Sequence, residues 1–172
     1  MTLAQRLYLA QKYLASDVDA TAKQLEICVT EVREAIDDLR RLAQGLHPPV
    51  LREAGLRPAL WALAGRSHVP VTLGDFEDDR FSPEIEVAAY FMVSEALANV
   101  AKHARAESAR IDVKRVGGCL VVQVADDGRG GANPSRGSGL AGLVDRVEAV
   151  GGSLAITSTH AGTTLRAEFP LA

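Results

Sequence analysis

Between residues 95 and 103, four side chains capable of polar chemistry recur at helical spacing: Glu95, Asn99, Lys102 and His103 stand at i, i+4, i+7 and i+8. On a helix these positions share one edge. A carboxylate, a carboxamide oxygen and two groups able to carry positive charge could hold Mg2+ at one end and phosphate oxygens at the other. An ordinary solvated helix face has the same look, so the stripe by itself leaves both open. A second group, Asp126-Asp127-Gly128-Arg129-Gly130-Gly131, follows a run with strand character. A carboxylate held among apolar residues at a strand end can accept a hydrogen bond from an exocyclic amine, which distinguishes adenine from guanine. The glycines permit close backbone approach to a ligand. An acidic turn that closes a strand is the plainer alternative. The third group, Gly137-Ser138-Gly139-Leu140-Ala141-Gly142, opens a helix, whose unpaired N–H groups and dipole attract phosphate. It has no P-loop lysine and follows a loop rather than a strand, so neither the Walker nor the dinucleotide-fold pattern applies.

The elements that must position these groups can be read from periodicity and breakers. The first 46 residues differ in texture from the rest, and Leu46-His47-Pro48-Pro49 marks the change, giving units at 1–47 and 48–172. In the first unit, Leu3, Leu7, Ala10 and Leu14 alternate spacings of four and three, as do Leu25, Val29, Val32, Ile36, Leu39, Ala43 and Leu46. Ser16-Asp17-Val18-Asp19 between them supplies N-cap candidates, so a helical hairpin is expected. Two such seams are most simply satisfied by a second copy, as an antiparallel four-helix bundle in a homodimer. A hairpin folded back on its own globular unit is the alternative.

In the second unit a short helix is expected over 55–66, a strand over 69–73, an acidic loop over 74–82 and a long helix from Pro83 to about Lys102. Ser82 serves that long helix as N-cap, with Pro83 at its first position. Strands at 109–115 and 119–125 flank Gly117-Gly118, a hairpin pair. A glycine-rich loop over 126–139 precedes a helix over 140–150 and a last strand pair at 153–158 and 163–169. Adjacent strands interspersed with helices predict a two-layer α/β sandwich with a largely antiparallel or mixed sheet, not an all-parallel one.

Composition narrows the function classes. Hydrophobic residues make up 47% and charged residues 24% of the 172 residues, which fits a soluble globular protein. The net charge of −3 and the absence of like-charge runs argue against a nucleic-acid surface. Cys28 and Cys119 have no His or Cys neighbours at ligand spacing and read as reduced, packed thiols. No apolar stretch approaches the roughly 20 residues of a membrane span, so no direct membrane contact and a cytoplasmic location are expected.

Taken together, in order and spacing, the three polar groups resemble the N, D and G boxes of the histidine-kinase ATP-binding domain, shared with gyrase-type ATPases. Ser94-Glu95-Ala96-Leu97-Ala98-Asn99-Val100-Ala101-Lys102-His103-Ala104 is similar to the N box of sensor kinases of the nitrate-sensor class. The resemblance implies ATP and Mg2+ as ligands. It makes Glu95 the base or water-positioning residue, Asn99 the Mg2+ ligand, and Lys102 and His103 phosphate contacts. Asp126 matches the adenine-reading aspartate, with Gly128 and Gly130 lining the pocket, Gly137, Gly139 and Leu140 closing over the phosphates, and Thr163 beside the adenine. Asp127 stands where many members have asparagine, a departure that leaves the adenine contact intact.

Gly162-Thr163-Thr164 and Phe169-Pro170-Leu171 resemble the terminal strands of the family, and residues 39–51 resemble the end of its second dimerisation helix. Gln5 matches a glutamine that lies five positions after the family's phosphoacceptor histidine. That implies an acceptor position just ahead of Met1, with His47 a capping or packing residue. The implied function is the catalytic core of a sensor histidine kinase that phosphorylates a histidine and passes the group to a response regulator. Without its acceptor, the chain is expected to bind nucleotide and dimerise but not to autophosphorylate. Two other classes stand beside it: a non-catalytic ATP-binding regulatory dimer, and an ATP hydrolase of the gyrase kind, for which the loop over 131–136 is short. Response-regulator phosphatase activity is also compatible, because Gln5 occupies the place where the family positions a water.

Overall fold

The computed structural model describes residues 3–14, 17–43, 48–76, 79–132 and 138–171, with the side chains of 31, 33–43 and 138 not among those described. The chain divides into two compact units, Met1–Leu46 and His47–Ala172.

In the first unit, α1 (Leu3–Tyr13) and α2 (Val18–Ala43) are the expected helices. Asp17 caps α2: its carboxylate accepts from the Ala20 N–H at 2.8 Å, satisfying one of the donors a helix start leaves unpaired. The pair meets at Ala10 and Thr21, both buried, and the Thr21 hydroxyl donates to the Asp17 carbonyl at 2.9 Å. Much of the seam faces outward. Leu7, Leu14, Leu25, Val29 and Val32 are all exposed, Leu14 by 64%. The burial of Ile36, Leu39 and Ala43 and the whole of Leu46 lie outside the described residues.

The second unit opens with α3 (Pro49–Ala54) and α4 (Leu56–Ala64), followed by β1 (Val71–Phe76), α5 (Pro83–Asn99), β2 (Ala109–Val116), β3 (Cys119–Asp126), α6 (Ser138–Glu148), β4 (Ser153–Thr159) and β5 (Gly162–Pro170). The sheet order is β1-β2-β3-β5-β4, with β1 parallel to β2 and every other pair antiparallel. This is the expected mixed sheet. Its inner face forms a cross-strand ladder. Ile111 faces Val124, which faces Leu165; Val113 faces Val122, which faces Ala167; Leu120 faces Phe169. Ile111, Val113, Leu120, Val122, Ala167 and Phe169 are fully buried, as are Met92 and Val93 of α5. Burial of such branched and aromatic chains contributes about 1.5–3 kcal/mol each.

Three local features differ from expectation. The prolines after His47 start a helix as well as stopping one: Pro49 sits at the first position of α3, where its missing N–H is not needed. Strand β1 begins at Val71 and runs on through Gly74-Asp75-Phe76, where a loop was expected. The neighbouring strand makes this possible, because Asp112 accepts from the Asp75 N–H at 2.9 Å and Lys114 pairs with the Asp75 carboxylate at 2.7 Å. The α-helical part of α5 ends at Asn99, and a π-helical turn, Val100–Ala104, continues it.

Candidate functional site

Helix α5 carries the polar stripe, and its start is fixed as its sequence requires. Ser82 accepts from the Ile85 N–H at 3.4 Å, and Pro83 occupies the first turn. Ile85, Ala89, Met92, Ala96 and Val100 are buried, as are Ala88, Tyr90, Phe91, Val93 and Leu97, so α5 is enclosed on more than one side. Glu95 and Asn99 are half-buried, whereas Lys102 and His103 are exposed on the π turn. A π turn carries more residues per revolution than an α turn, so it re-aims the side chains that follow it, and such turns concentrate at functional sites. The regular stripe over 95–103 is therefore α-helical only as far as Asn99.

The Nδ2 atom of Asn99 is buried and has no hydrogen-bond partner among the described residues. An orphaned buried amide costs about 1–3 kcal/mol, which a ligand would offset. The unpaired atom is a donor, which an acceptor oxygen of a ligand or water would satisfy, and the carboxamide oxygen is the atom of Asn99 able to ligate a hard cation. Among the described residues no cluster of three or more His, Cys, Asp or Glu could hold a metal ion. A single amide oxygen suits Mg2+ carried in by substrate phosphates, because Mg2+ keeps most of its shell as water and phosphate oxygen.

At the far end of the site, β3 and β5 bring Asp126 and Thr163 together as register partners. Asp126 Oδ1 accepts from the Gly128 N–H at 2.9 Å, which orients the carboxylate. The Thr163 hydroxyl is bonded to Ser158 Oγ at 2.9 Å, and Ser158 Oγ also accepts from the Ala132 N–H at 3.1 Å. Two glycines make the corner possible. A Cβ on Gly130, at φ +66°, would collide with the Thr159 carbonyl, and one on Gly128 would meet Ala104 Cβ at 2.7 Å. The glycine-rich loop thus lies directly against the end of the helix that bears Asn99, Lys102 and His103.

Asp127 turns away from this corner. Its carboxylate accepts from the Ser108 N–H at 3.0 Å, the Ser108 hydroxyl at 2.7 Å and the Glu107 N–H at 2.8 Å. Those donors, the Ser108 backbone first, hold its carboxyl below the usual carboxylate range. Farther up α5, a Cβ on Gly139 would stand 3.0 Å from Glu95 Oε1, so the first turn of α6 approaches that carboxylate. Arg146 of α6 lies 4.9 Å over the Phe91 ring of α5, a cation–π contact that holds the two helices together.

Residues 84–172 match the model of the histidine kinase-, DNA gyrase B- and HSP90-like ATPase family, which is more than half of the chain. The chain belongs to this family. Its ATPase-type domain is accordingly of the histidine-kinase kind, with ATP as the substrate class. Among curated relatives, the sensor histidine kinase MctS of Rhizobium johnstonii is 32% identical over 94% of this chain and 38% of its own length. The signal transduction histidine-protein kinase/phosphatase DegS of Brevibacillus brevis is 31% identical over 87% of this chain and 39% of its own. The chain thus spans about two fifths of these relatives.

The histidine kinase domain of the blue-light activated histidine kinase of Erythrobacter litoralis superposes with a TM-score of 0.55 at 27% identity, covering 67% of this chain and 58% of that one. The Acinetobacter baumannii histidine kinase AdeS gives a TM-score of 0.62 over 99% of this chain and 95% of its own, and at 14% identity it speaks for the fold alone.

Within this ATPase-family frame, the structure brings Asp126, Gly128, Gly130 and Thr163 into one corner and Glu95 beside Gly139. Leu140 is half-buried on α6, in the packing around the core. Gly137 lies outside the described residues. Sequence inspection missed Ser158, whose role follows only from the pairing of Ser158 with Thr163 across the last hairpin. It also passed over Arg129 and gave Asp127 no part, although their bonds to residues 103–108 require the folded loop to be seen. Among the described residues no helix is long and apolar enough to cross a membrane.

Proposed function

We propose that this chain is the catalytic core of a two-component sensor kinase of the nitrate-sensor class, binding Mg-ATP in the second unit and presenting its γ-phosphoryl group to a histidine. The observation that carries this is the Asp126 corner, packed against the end of a helix whose Asn99 Nδ2 is buried and has no hydrogen-bond partner among the described residues. Asp126 accepts the adenine amine, and Thr163 and the glycine edge at 128–130 flank the ring. Lys102 and His103 approach the phosphates with positive charge and N–H donors, and the N-terminal turn of α6, at Gly139 and Leu140, offers backbone N–H groups. Mg2+ bound through Asn99 would neutralise phosphate charge. Glu95 draws the proton from the attacking imidazole or orients it. Because phosphoryl transfer depends chiefly on positioning and electrostatics, these few groups are sufficient equipment.

Neither α1 nor α2 contains a histidine, so the acceptor is supplied from outside this helical pair. The phosphoryl group then passes to a response regulator. The kinase/phosphatase named among the relatives favours a second activity, removal of phosphate from that regulator, with exposed Gln5 on α1 placing a water.

The metal role of Asn99 is tested by titrating ATP with and without Mg2+. The parent is expected to bind at least tenfold more tightly with Mg2+, and Asn99→Ala to bind equally in both. A variant that keeps the Mg2+ effect would remove Asn99 as the ligand.

The first unit serves as the dimerising part. Leu7, Leu14, Leu25 and Val29 stay exposed, and Ala4, Leu7, Tyr8, Leu14 and Leu25 line an apolar groove that a second copy would fill. Sedimentation equilibrium is expected to give twice the 18.3 kDa chain mass and to fall to the monomer mass for Leu25→Asp with Val29→Asp. A monomeric parent would refute the bundle.

A further inference from the structure

The segment from His103 to Ser108 joins the π turn of α5 to β2, and the loop after Asp126 grips it at both ends. On one side, Asp127 takes the N–H groups of Glu107 and Ser108 and the Ser108 hydroxyl. On the other, the Arg129 N–H donates to the Ala104 carbonyl at 2.9 Å and Arg129 Nε donates to the His103 carbonyl at 3.0 Å. These carbonyls belong to the end of a helix, where acceptors are left unpaired and attract positive charge. Between the two grips stands Arg105 at φ +53°, the one left-handed residue other than glycine among the described residues. A side-chain-bearing residue stays in that region only when its surroundings over-determine it, and six hydrogen bonds with two neighbours, the Asp127 N–H to the Ser108 carbonyl at 3.4 Å among them, do so here.

Neither Asp127 nor Arg129 belongs to the set that would touch nucleotide, and both are exposed. Each nevertheless sits within three residues of Asp126, and the segment they hold begins at His103, directly after Lys102 on the π turn. We infer that Asp127 and Arg129 are positioning residues that clasp the π turn carrying Lys102 and His103 to the loop carrying Asp126, and so fix the separation of the phosphate end of the pocket from its adenine end. This rests on the nucleotide site proposed above. A clasp of this kind has a signature that general stabilisation lacks: loosening it weakens ligands that span both ends and spares a ligand that uses only one.

The test is a chemical-shift titration of adenosine, Mg-ADP and Mg-ATP into the intact chain and into Arg129→Ala, Asp127→Ala and Asp127→Asn. Arg129→Ala and Asp127→Ala are expected to weaken ADP and ATP about tenfold, with adenosine within twofold of the parent. Asp127→Asn is expected to bind as the parent does, because its oxygen accepts both N–H groups and its amide donates to the Ser108 hydroxyl. Equal weakening of adenosine and ATP would reduce both residues to support of the fold, and parent-like ATP binding in both alanine variants would remove the clasp alone. A parent that binds none of the three ligands would overturn the nucleotide site and the clasp with it. Should Asp127→Ala fail to fold, the exposed Arg129→Ala variant decides the matter.

Discussion

Asp126→Asn is expected to lower the affinity for Mg-ATP about a hundredfold while leaving the fold intact. The asparagine oxygen can keep the bond from the Gly128 N–H, which Oδ1 accepts at 2.9 Å in the parent, so the loop has no reason to move. The change falls on the other arm of the side chain, where an acceptor becomes an NH2 donor. Facing the exocyclic amine of adenine, that donor leaves two buried donors opposed, which costs more than the loss of a single hydrogen bond. Facing guanine, the same NH2 meets a carbonyl acceptor, so discrimination between ATP and GTP should narrow as ATP affinity falls. Parallel titration of both nucleotides into parent and variant checks the prediction. Unchanged ATP affinity would move the adenine contact away from Asp126.

Gly162→Ala is expected to cost about 3 kcal/mol or more in stability and to lower Tm by roughly 10 °C, with nucleotide binding lost as well. Gly162 opens β5 directly beside Asp126, at φ +126°, where side chains are strained whatever the space around them. Its added Cβ would lie on the backbone carbonyl of Asp126 and 3.2 Å from Asp127 Cα, so no side chain can swing away to relieve it. Relief would need β5 to draw back from β3, which separates Thr163 from Asp126. Gly131→Ala is the control: φ is +88° there, but nothing stands within 4 Å of the new Cβ, and a loss of only about 1 kcal/mol is expected. Thermal unfolding of the two variants separates collision from backbone strain. Similar small losses in both would show that the β5 approach to Asp126 is looser than its geometry.

What could be read from the sequence was mainly local chemistry. Ser82-Pro83 marked the start of α5, the N-cap candidates over 16–19, of which Asp17 is the one used, the start of α2, and Gly117-Gly118, both at positive φ, the β2–β3 turn. These signals act within a few residues and do not depend on the rest of the fold. Features set by distant partners were not legible. The extension of β1 through Asp75 depends on Asp112 and Lys114, nearly forty residues away in sequence. The end of the π turn after Asn99 is met by Arg129, which donates to the carbonyls of His103 and Ala104 from the loop after β3, a partner distant in sequence. Helical spacing alone continued the α-helix through Lys102.

The site shows the same division. Asp126, Gly128, Gly130 and Thr163 carried enough of a pattern to be named in advance, and the fold gathers them. Ser158 carried none, because a serine in an alternating strand becomes informative only once its cross-strand partner is known. The exposed seam of α1 and α2 was legible as periodicity, and the second copy proposed to cover it is tested by the oligomeric state.

The most direct measurement is a calorimetric titration of Mg-ATP and, separately, Mg-GTP into the intact chain. A pocket built on Asp126, Thr163 and the glycine edge predicts saturable binding of one ATP per chain and no saturable binding of GTP. No heat with either nucleotide, or equal affinity for both, would contradict the adenine site on which the account rests.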